Sequence, residues 1–225
     1  MAARTAILTG VAGGWGRAVL DRFAEQGWNV CATARGAVEL PEGVLVVAAD
    51  LTDPAAAETV VERCLDRFGA VDALACVAGG FREMGPFHES APEDWHAMLR
   101  INLDTAYTIT RAALRPMVEA GSGSIVYVSS RAAIRPFAGA GSYIVSKAGV
   151  IALMQAVDAE VRKQGIRANA IMPSIVDTPQ NRRQSPDADV SRWTTGDQLA
   201  RVIEWLCAED SAPLSGGTIP AYGRA

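Results

Sequence analysis

Seven short, nearly uninterrupted apolar runs, separated by longer helical patterns, constrain this chain more than any other feature it has. They fall at Ala6–Thr9, Val30–Thr33, Val44–Ala48, Ala73–Val77, Ser124–Ser129, Arg167–Ile171 and Gly217–Pro220. A strand with one face in water alternates apolar and polar residues, so runs without alternation are strands covered on both sides. Such strands alternating with helices predict an α/β fold: a Rossmann-like, doubly wound parallel sheet with helices on both faces and right-handed crossovers. Helix starts are marked as well. Asp53-Pro54 offers a capping carboxylate followed by proline at the first helical position. Ser90-Ala-Pro-Glu93 has capping-box spacing ahead of a helical stretch from Trp95 to Met117. At 225 residues the chain is expected to form one domain, 1–225, with no internal repeat or linker.

Composition narrows the functional classes. Apolar residues make up 49% and charged residues 20%, the profile of a soluble globular protein. A net charge of -4 argues against nucleic acid or an anionic membrane as partner. Cys31, Cys64, Cys76 and Cys207 are scattered without a CxxC pair, and His88 and His96 do not pair with them at a metal-ligand spacing. No metal site is expected. The first apolar run stops at Gly10, too short for a secretory signal or a membrane span, so a cytoplasmic protein is expected. Pro173 to Thr195 is the one long irregular segment, and it follows a strand end. Ligands of open parallel sheets bind outside the carboxyl ends of the strands, which makes residues 173–195 a candidate lid.

Between the first strand and the first helix stands Thr9-Gly-Val-Ala-Gly-Gly-Trp-Gly16. A glycine-rich turn there lets backbone amides approach a pyrophosphate at a helix N-terminus. The spacing Gly10-x3-Gly14-x-Gly16 is not the general GxGxxG fingerprint, because Arg17, Ala18 and Val19 follow. At the end of the second strand, where an acidic residue would grip the 2′-hydroxyl of NAD, the chain reads Thr33-Ala34-Arg35. No carboxylate repels a 2′-phosphate, and Arg35 is suited to pair with one, which favours NADP(H) over NAD(H).

Downstream, Tyr143 and Lys147 stand four apart, with Ser130 thirteen residues before the tyrosine. Residues four apart share a helix face, so a phenol and an ammonium project side by side. A phenol ionises near pKa ~10, and a neighbouring cation lowers that value. A nearby hydroxyl can then polarise a carbonyl while the phenol delivers or takes a proton. Tyr-x-x-x-Lys alone is common by chance; the serine and the glycine turn give it weight.

Together these residues resemble the short-chain dehydrogenase/reductase family along essentially the whole chain. Thr9 to Gly16 is similar to its TGxxxGxG cofactor turn, so Gly10, Gly14, Trp15 and Gly16 are implied to bind the dinucleotide. Asp50-Leu51 resembles the acidic position that contacts adenine, and Cys76-Val-Ala78-Gly79 the NNAG element with both asparagines replaced. Asn102, Ser130, Tyr143 and Lys147 match the catalytic tetrad in order and spacing. Pro173-Ser-Ile175-Val-Asp-Thr178 is similar to the PGxxxT segment that closes over nicotinamide. The resemblance implies reduction of a ketone or aldehyde to an alcohol. Tyr143 is the general acid, Lys147 lowers its pKa and holds the nicotinamide ribose, Ser130 orients the substrate oxygen, and Asn102 holds a proton-supplying water. It also implies a homodimer or homotetramer assembled through the helices that carry Asn102 and Tyr143.

The stretch Asp177 to Trp193 is similar to dihydropteridine reductases of the same superfamily. Ser130 and Arg35 both depart from that branch, so the likeness is read as lid architecture, with a pterin reductase as the alternative. A non-catalytic dinucleotide sensor is the alternative of another class; it predicts an eroded tetrad, and all four members are present. If the family layout holds, Phe81 to Met84, Phe87, Arg131, Arg135, Phe137 and Trp193 surround the cleft, implying a small carbonyl substrate with an apolar or aromatic body.

Overall fold

The computed structural model of the protein describes residues 3–36, 38 and 40–224. Its strands are β1 (Thr5–Thr9), β2 (Asn29–Ala34), β3 (Leu45–Ala48), β4 (Ala73–Cys76), β5 (Gly123–Val128), β6 (Ile166–Pro173), β7 (Val176–Asp177), β8 (Thr194–Thr195) and β9 (Thr218–Ala221). The helices are α1 (Gly16–Glu25), α2 (Pro54–Phe68), α3 (Pro92–Leu99), α4 (Thr105–Ala120), α5 (Gly141–Val161), α6 (Pro179–Gln184) and α7 (Gly196–Cys207). Each apolar run of the sequence is a strand of one parallel sheet, ordered β3-β2-β1-β4-β5-β6-β9. Strand addition reverses direction between β1 and β4, and at such a point a crevice opens outside the carboxyl ends of the strands.

Alternation within the strands feeds two separate cores. Ile7, Cys31, Leu74, Ile125 and Tyr127 pack with Val60 of α2, Ile109 of α4 and Met154 of α5. Ala6, Leu8, Val30, Ala32, Ala75 and Val126 pack with Leu20 and Phe23 of α1 and with Leu199 and Ile203 of α7. Neighbouring residues of one strand thus enter different layers, which is why each strand reads as a continuous apolar run.

Asp53 caps α2 as expected: its Oδ1 accepts the Ala55 N–H at 2.9 Å, with Pro54 at the first helical position. The capping box expected at Ser90 does not form. Helix α3 begins one residue later, with Ala91 at the cap and Pro92 at the first helical position. Proline prefers that first position, whereas the box would place it second. Ser90 Oγ instead donates to Phe87 O at 2.8 Å, closing a 3-10 turn over Phe87–Glu89. Nor is Trp95 to Met117 one α-helix. Between α3 and α4 the backbone makes a π-helical turn, Arg100–Asp104.

The segment expected to be irregular carries structure. β7 and β8 pair as a two-stranded parallel sheet, Val176 opposite Thr194 and Asp177 opposite Thr195. Between them Thr178 Oγ1 caps α6 by accepting the Asn181 N–H at 3.1 Å, and Arg182 grips Asp177 with two hydrogen bonds of 2.6 and 2.8 Å. Elements of two and six residues are too short to leave a periodic signal in sequence. Among the described residues no helix is long and apolar enough to cross a membrane.

Candidate active site

The carboxyl ends of the strands floor a groove with three successive stretches of about 340, 210 and 580 Å³. The first is backbone-built and lined by Gly10, Gly14, Trp15, Gly16, Arg35, Asp50, Leu51, Ala78 and Gly79. Gly10 has φ 73°, and a Cβ there would stand 2.7 Å from Ala78 Cα, so the turn after β1 can press against the end of β4 only as glycine. Thr9 Oγ1 fastens the same junction by accepting the Ala78 N–H at 2.9 Å. The turn leads into the N-terminus of α1, where backbone N–H groups favour an anion. Side-chain-free backbone around a helix N-terminus fits a dinucleotide pyrophosphate. Asp50, at the far wall, is held below the usual carboxylate range, chiefly by hydrogen bonds from the Thr52 N–H and hydroxyl and further by Arg100 and Arg35. Arg35 is exposed beside it.

Tyr143 and Lys147 line the middle stretch from the first turns of α5, and Ser130 lines it from the end of β5. Ser130 Oγ accepts the Ala132 N–H at 3.1 Å, which seats it at the start of a 3-10 turn, Arg131–Ala133. Lys147 is 5% exposed; its Nζ donates to Val128 O at 2.9 Å, and Ser129 Oγ donates to its carbonyl at 2.7 Å. Asn102, on the π turn and 1% exposed, returns both hydrogen bonds of the Gly80 peptide: Nδ2 donates to Gly80 O and Oδ1 accepts Gly80 N–H, each at 3.0 Å. A Cβ on Gly79 would lie 2.6 Å from Asn102 Oδ1 and 3.1 Å from Lys147 Nζ, so the two polar heads meet over that glycine.

Burial sets the titration of this stretch. It pushes the Tyr143 phenol above its ordinary value, and a hydrogen bond with Ser130 pulls partly back. It lowers Lys147 to about 8. Lys147, which the resemblance implies lowers the phenol, directs its ammonium at Val128 O here, and desolvation is the larger influence on Tyr143. At neutral pH the pair consists of a protonated phenol and a cation.

The widest stretch lies beyond Tyr143. Phe81 stands edge-on to Tyr143, ring centres 5.0 Å apart, and 6.3 Å from Phe137. Arg131, Arg135, Ile175, Asn181, Gln184 and Ser185 complete its wall.

The short chain dehydrogenase family matches residues 4–189 of this chain. The chain belongs to that family. Among curated relatives, 3-oxoacyl-(acyl-carrier-protein) reductase FabG of Escherichia coli is 26% identical over 238 residues, covering 98% of this chain and 96% of the relative. Cis-4-hydroxycyclohexanecarboxylate dehydrogenase of Sinomonas cyclohexanicum is 32% identical, covering 98% and 95%. An NADP-bound structure of ElxO superposes with a TM-score of 0.90 at 24% identity, covering 99% of this chain and 98% of that one. An NAD+-bound xylitol dehydrogenase superposes with 0.88 at 22%, covering 98% of each chain. This short-chain dehydrogenase is thus an oxidoreductase on an NAD(P)-binding Rossmann fold.

Several side chains of this short-chain dehydrogenase lie elsewhere along the groove than expected, or outside it. Ile175, expected at the cofactor, lines the widest stretch, while Val176 and Thr178 line the middle one. Thr178 also approaches the glycine turn, its Cγ2 3.2 Å from where a Cβ on Gly14 would be. Of the residues expected around the cleft, Phe81, Arg131, Arg135 and Phe137 line it. Arg82 pairs with Asp94 at 2.6 Å, Phe87 covers Gly141, and Trp193 is buried; these three, Glu83 and Met84 are not among the lining residues. Thr33 was missed. It lines the first stretch with its Oγ1 buried and without a hydrogen-bond partner, a polar residue near the end of an otherwise apolar run. Asn181, Gln184 and Ser185 were missed too, although their spacing after the Thr178 cap puts them on one helical face.

Proposed function

We propose that the chain is an NADP(H)-dependent carbonyl reductase acting on a small substrate with an apolar or aromatic body, with Tyr143 as proton donor. The observation that carries this reading is the position of Ser130, Tyr143 and Lys147, which line the one stretch joining the glycine turn to the aromatic chamber. Gly10, Gly14, Trp15, Gly16, Asp50, Leu51, Ala78 and Gly79 would hold the dinucleotide, and the nicotinamide supplies the hydride when bound. Arg35 would pair with the 2′-phosphate. Tyr143, kept protonated by burial, would give its proton to the substrate oxygen while Ser130 Oγ orients that oxygen and stabilises its growing charge. Lys147 would hold the nicotinamide ribose, its cation fixed by Val128 O, and Asn102 would steady it from behind through the Gly79–Gly80 backbone.

Residues 173–195 would close over the bound pair, since α6 hangs between β7 and β8, which pair with each other, and its cap Thr178 reaches the glycine turn. Tyr107 and Val118 on α4 and Val145 on α5 are exposed apolar residues, which supports assembly of two or four copies through these helices. Four free, buried cysteines support a reducing, cytoplasmic setting.

The test is oxidation of NADPH and NADH against aromatic and alicyclic ketones and quinonoid dihydropterin, with Tyr143→Phe beside the wild type. Ketone turnover with NADPH is expected, falling about 10²-fold or more in the variant while NADPH still binds. Pterin turnover with NADH would replace the reading, and loss of NADPH binding in Tyr143→Phe would remove the role given to the phenol.

A further inference from the structure

We infer that the substrate is an acid: its apolar body carries a carboxylate, and Arg135 is the residue that meets it. The inference rests on the carbonyl-reductase reading and adds the substrate class.

The chamber beyond Tyr143 has a lopsided charge. Two guanidinium groups, Arg131 and Arg135, stand in its wall, and among the described residues no Asp or Glu lines it. This happens on a chain whose net charge is -4, so the cationic wall runs against the average of the molecule. Asp177, the carboxylate of the neighbouring segment, is turned to Arg182 with two hydrogen bonds. Arg131 has work within the protein: its guanidinium lies 5.2 Å from the centre of the Tyr222 ring, and its Nη1 donates to Ser174 Oγ at 3.4 Å. Arg135 makes no ion pair or side-chain hydrogen bond among the described contacts, and it is exposed where the chamber meets solvent.

Position turns this charge into a measuring device. The Arg135 N–H donates to Arg131 O at 2.9 Å, on the same short turn that Ser130 caps. The group that orients the reacting oxygen and the group that meets the anion are therefore five residues apart on one hydrogen-bonded stretch of backbone. The same wall offers Phe81, Phe137 and Ile175 to an apolar body, beside the polar Asn181, Gln184 and Ser185. About 580 Å³ suits a single ring or short chain. A guanidinium takes a carboxylate through two parallel, charge-assisted hydrogen bonds. A neutral ketone of the same shape gains none of this.

The test compares 4-oxocyclohexanecarboxylate with its methyl ester and with acetoacetyl-coenzyme A, using wild type, Arg135→Ala and Arg135→Lys with NADPH. For the wild type, kcat/KM for the acid is expected to exceed that for the ester by about tenfold or more. Arg135→Ala should lower the acid's value at least about tenfold further than the ester's, mainly through KM, with partial recovery in Arg135→Lys. Equal or better turnover of the ester, or a tenfold preference for the thioester, would overturn the inference. A second arm does not need turnover. Calorimetry of cyclohexanecarboxylate and cyclohexanecarboxamide on the NADP-loaded protein should show the acid binding more tightly, and Arg135→Ala should erase the difference. No ketone turnover with either cofactor would refute the reductase reading, while equal binding of acid and amide would refute the anion site by itself.

Discussion

The groove under the glycine turn and the chamber beyond Tyr143 are built from different materials. In the first, the turn after β1 leans on the end of β4, and the shape depends on glycines without side chains and on strand ends buried in the sheet. In the second, the wall is side chains: Phe81, Phe137, Ile175 and Arg135, all exposed and carried on loop segments. A change of side chain alters the chamber locally, whereas a change in the turn moves backbone that several elements share.

That contrast can be broken or sharpened by substitution, starting with the largest effect. Gly79→Ala places a methyl 2.6 Å from Asn102 Oδ1 and 3.1 Å from Lys147 Nζ. It should cost about 2 kcal/mol in urea unfolding and about 10²-fold in turnover. Activity near wild type would mean the backbone end tolerates side chains after all. Lys147 comes next. Its folded pKa of about 8 lies below the ordinary 10.5, so between those values the unfolded chain binds more protons and stability rises with pH. Wild type should therefore gain on Lys147→Met from pH 8 to 10.5, by up to about 1.4 kcal/mol per unit. A pH-independent difference would put the ammonium in water.

Arg35→Asp should lower the preference for NADPH over NADH, read as a ratio of dissociation constants, by about tenfold or more. An unchanged ratio means Arg35 does not read the 2′-phosphate. The smallest effect belongs to the chamber. Phe137 is 51% exposed, so Phe137→Ala should shift stability by no more than about 0.5 kcal/mol. It should raise KM for ring ketones and leave NADPH affinity in place; a comparable loss of NADPH affinity would erase the distinction between the two ends.

The same contrast explains what could be read from sequence. Strands buried on both faces announce themselves as apolar runs, and a turn that admits only glycine leaves its glycines in the sequence, so the sheet and the glycine-lined groove were legible. Asp53 was legible as a cap because nothing competed with it. Ser90 was not, because Pro92 moved the helix start by one residue. Trp193 looked like a cleft aromatic and is buried, since its place depends on how β7 and β8 pair, and strands of two residues have no pattern. Thr33 was passed over because hydroxyls are common in strands; only its buried, unpartnered oxygen separates it from the rest. Phe81 and Arg135 could be named for the cleft only by family likeness, as nothing in their spacing aims them at it.

The π turn at Arg100–Asp104 has a consequence for the length of the chain as well as its chemistry. A π turn holds one residue more than the α-helical turn it replaces. Each residue of an α-helix advances the side chain by about 100°, so the surplus acts as a phase offset between α3 and α4. It is what lets Asn102 face Gly80 while both flanking helices keep their buried faces. Deleting Asp104, which is exposed and outside the groove lining, would return the backbone to α-helical phase. Asn102 itself could remain, along with every side chain that lines the groove, yet its carboxamide would swing out of register with the peptide it clasps.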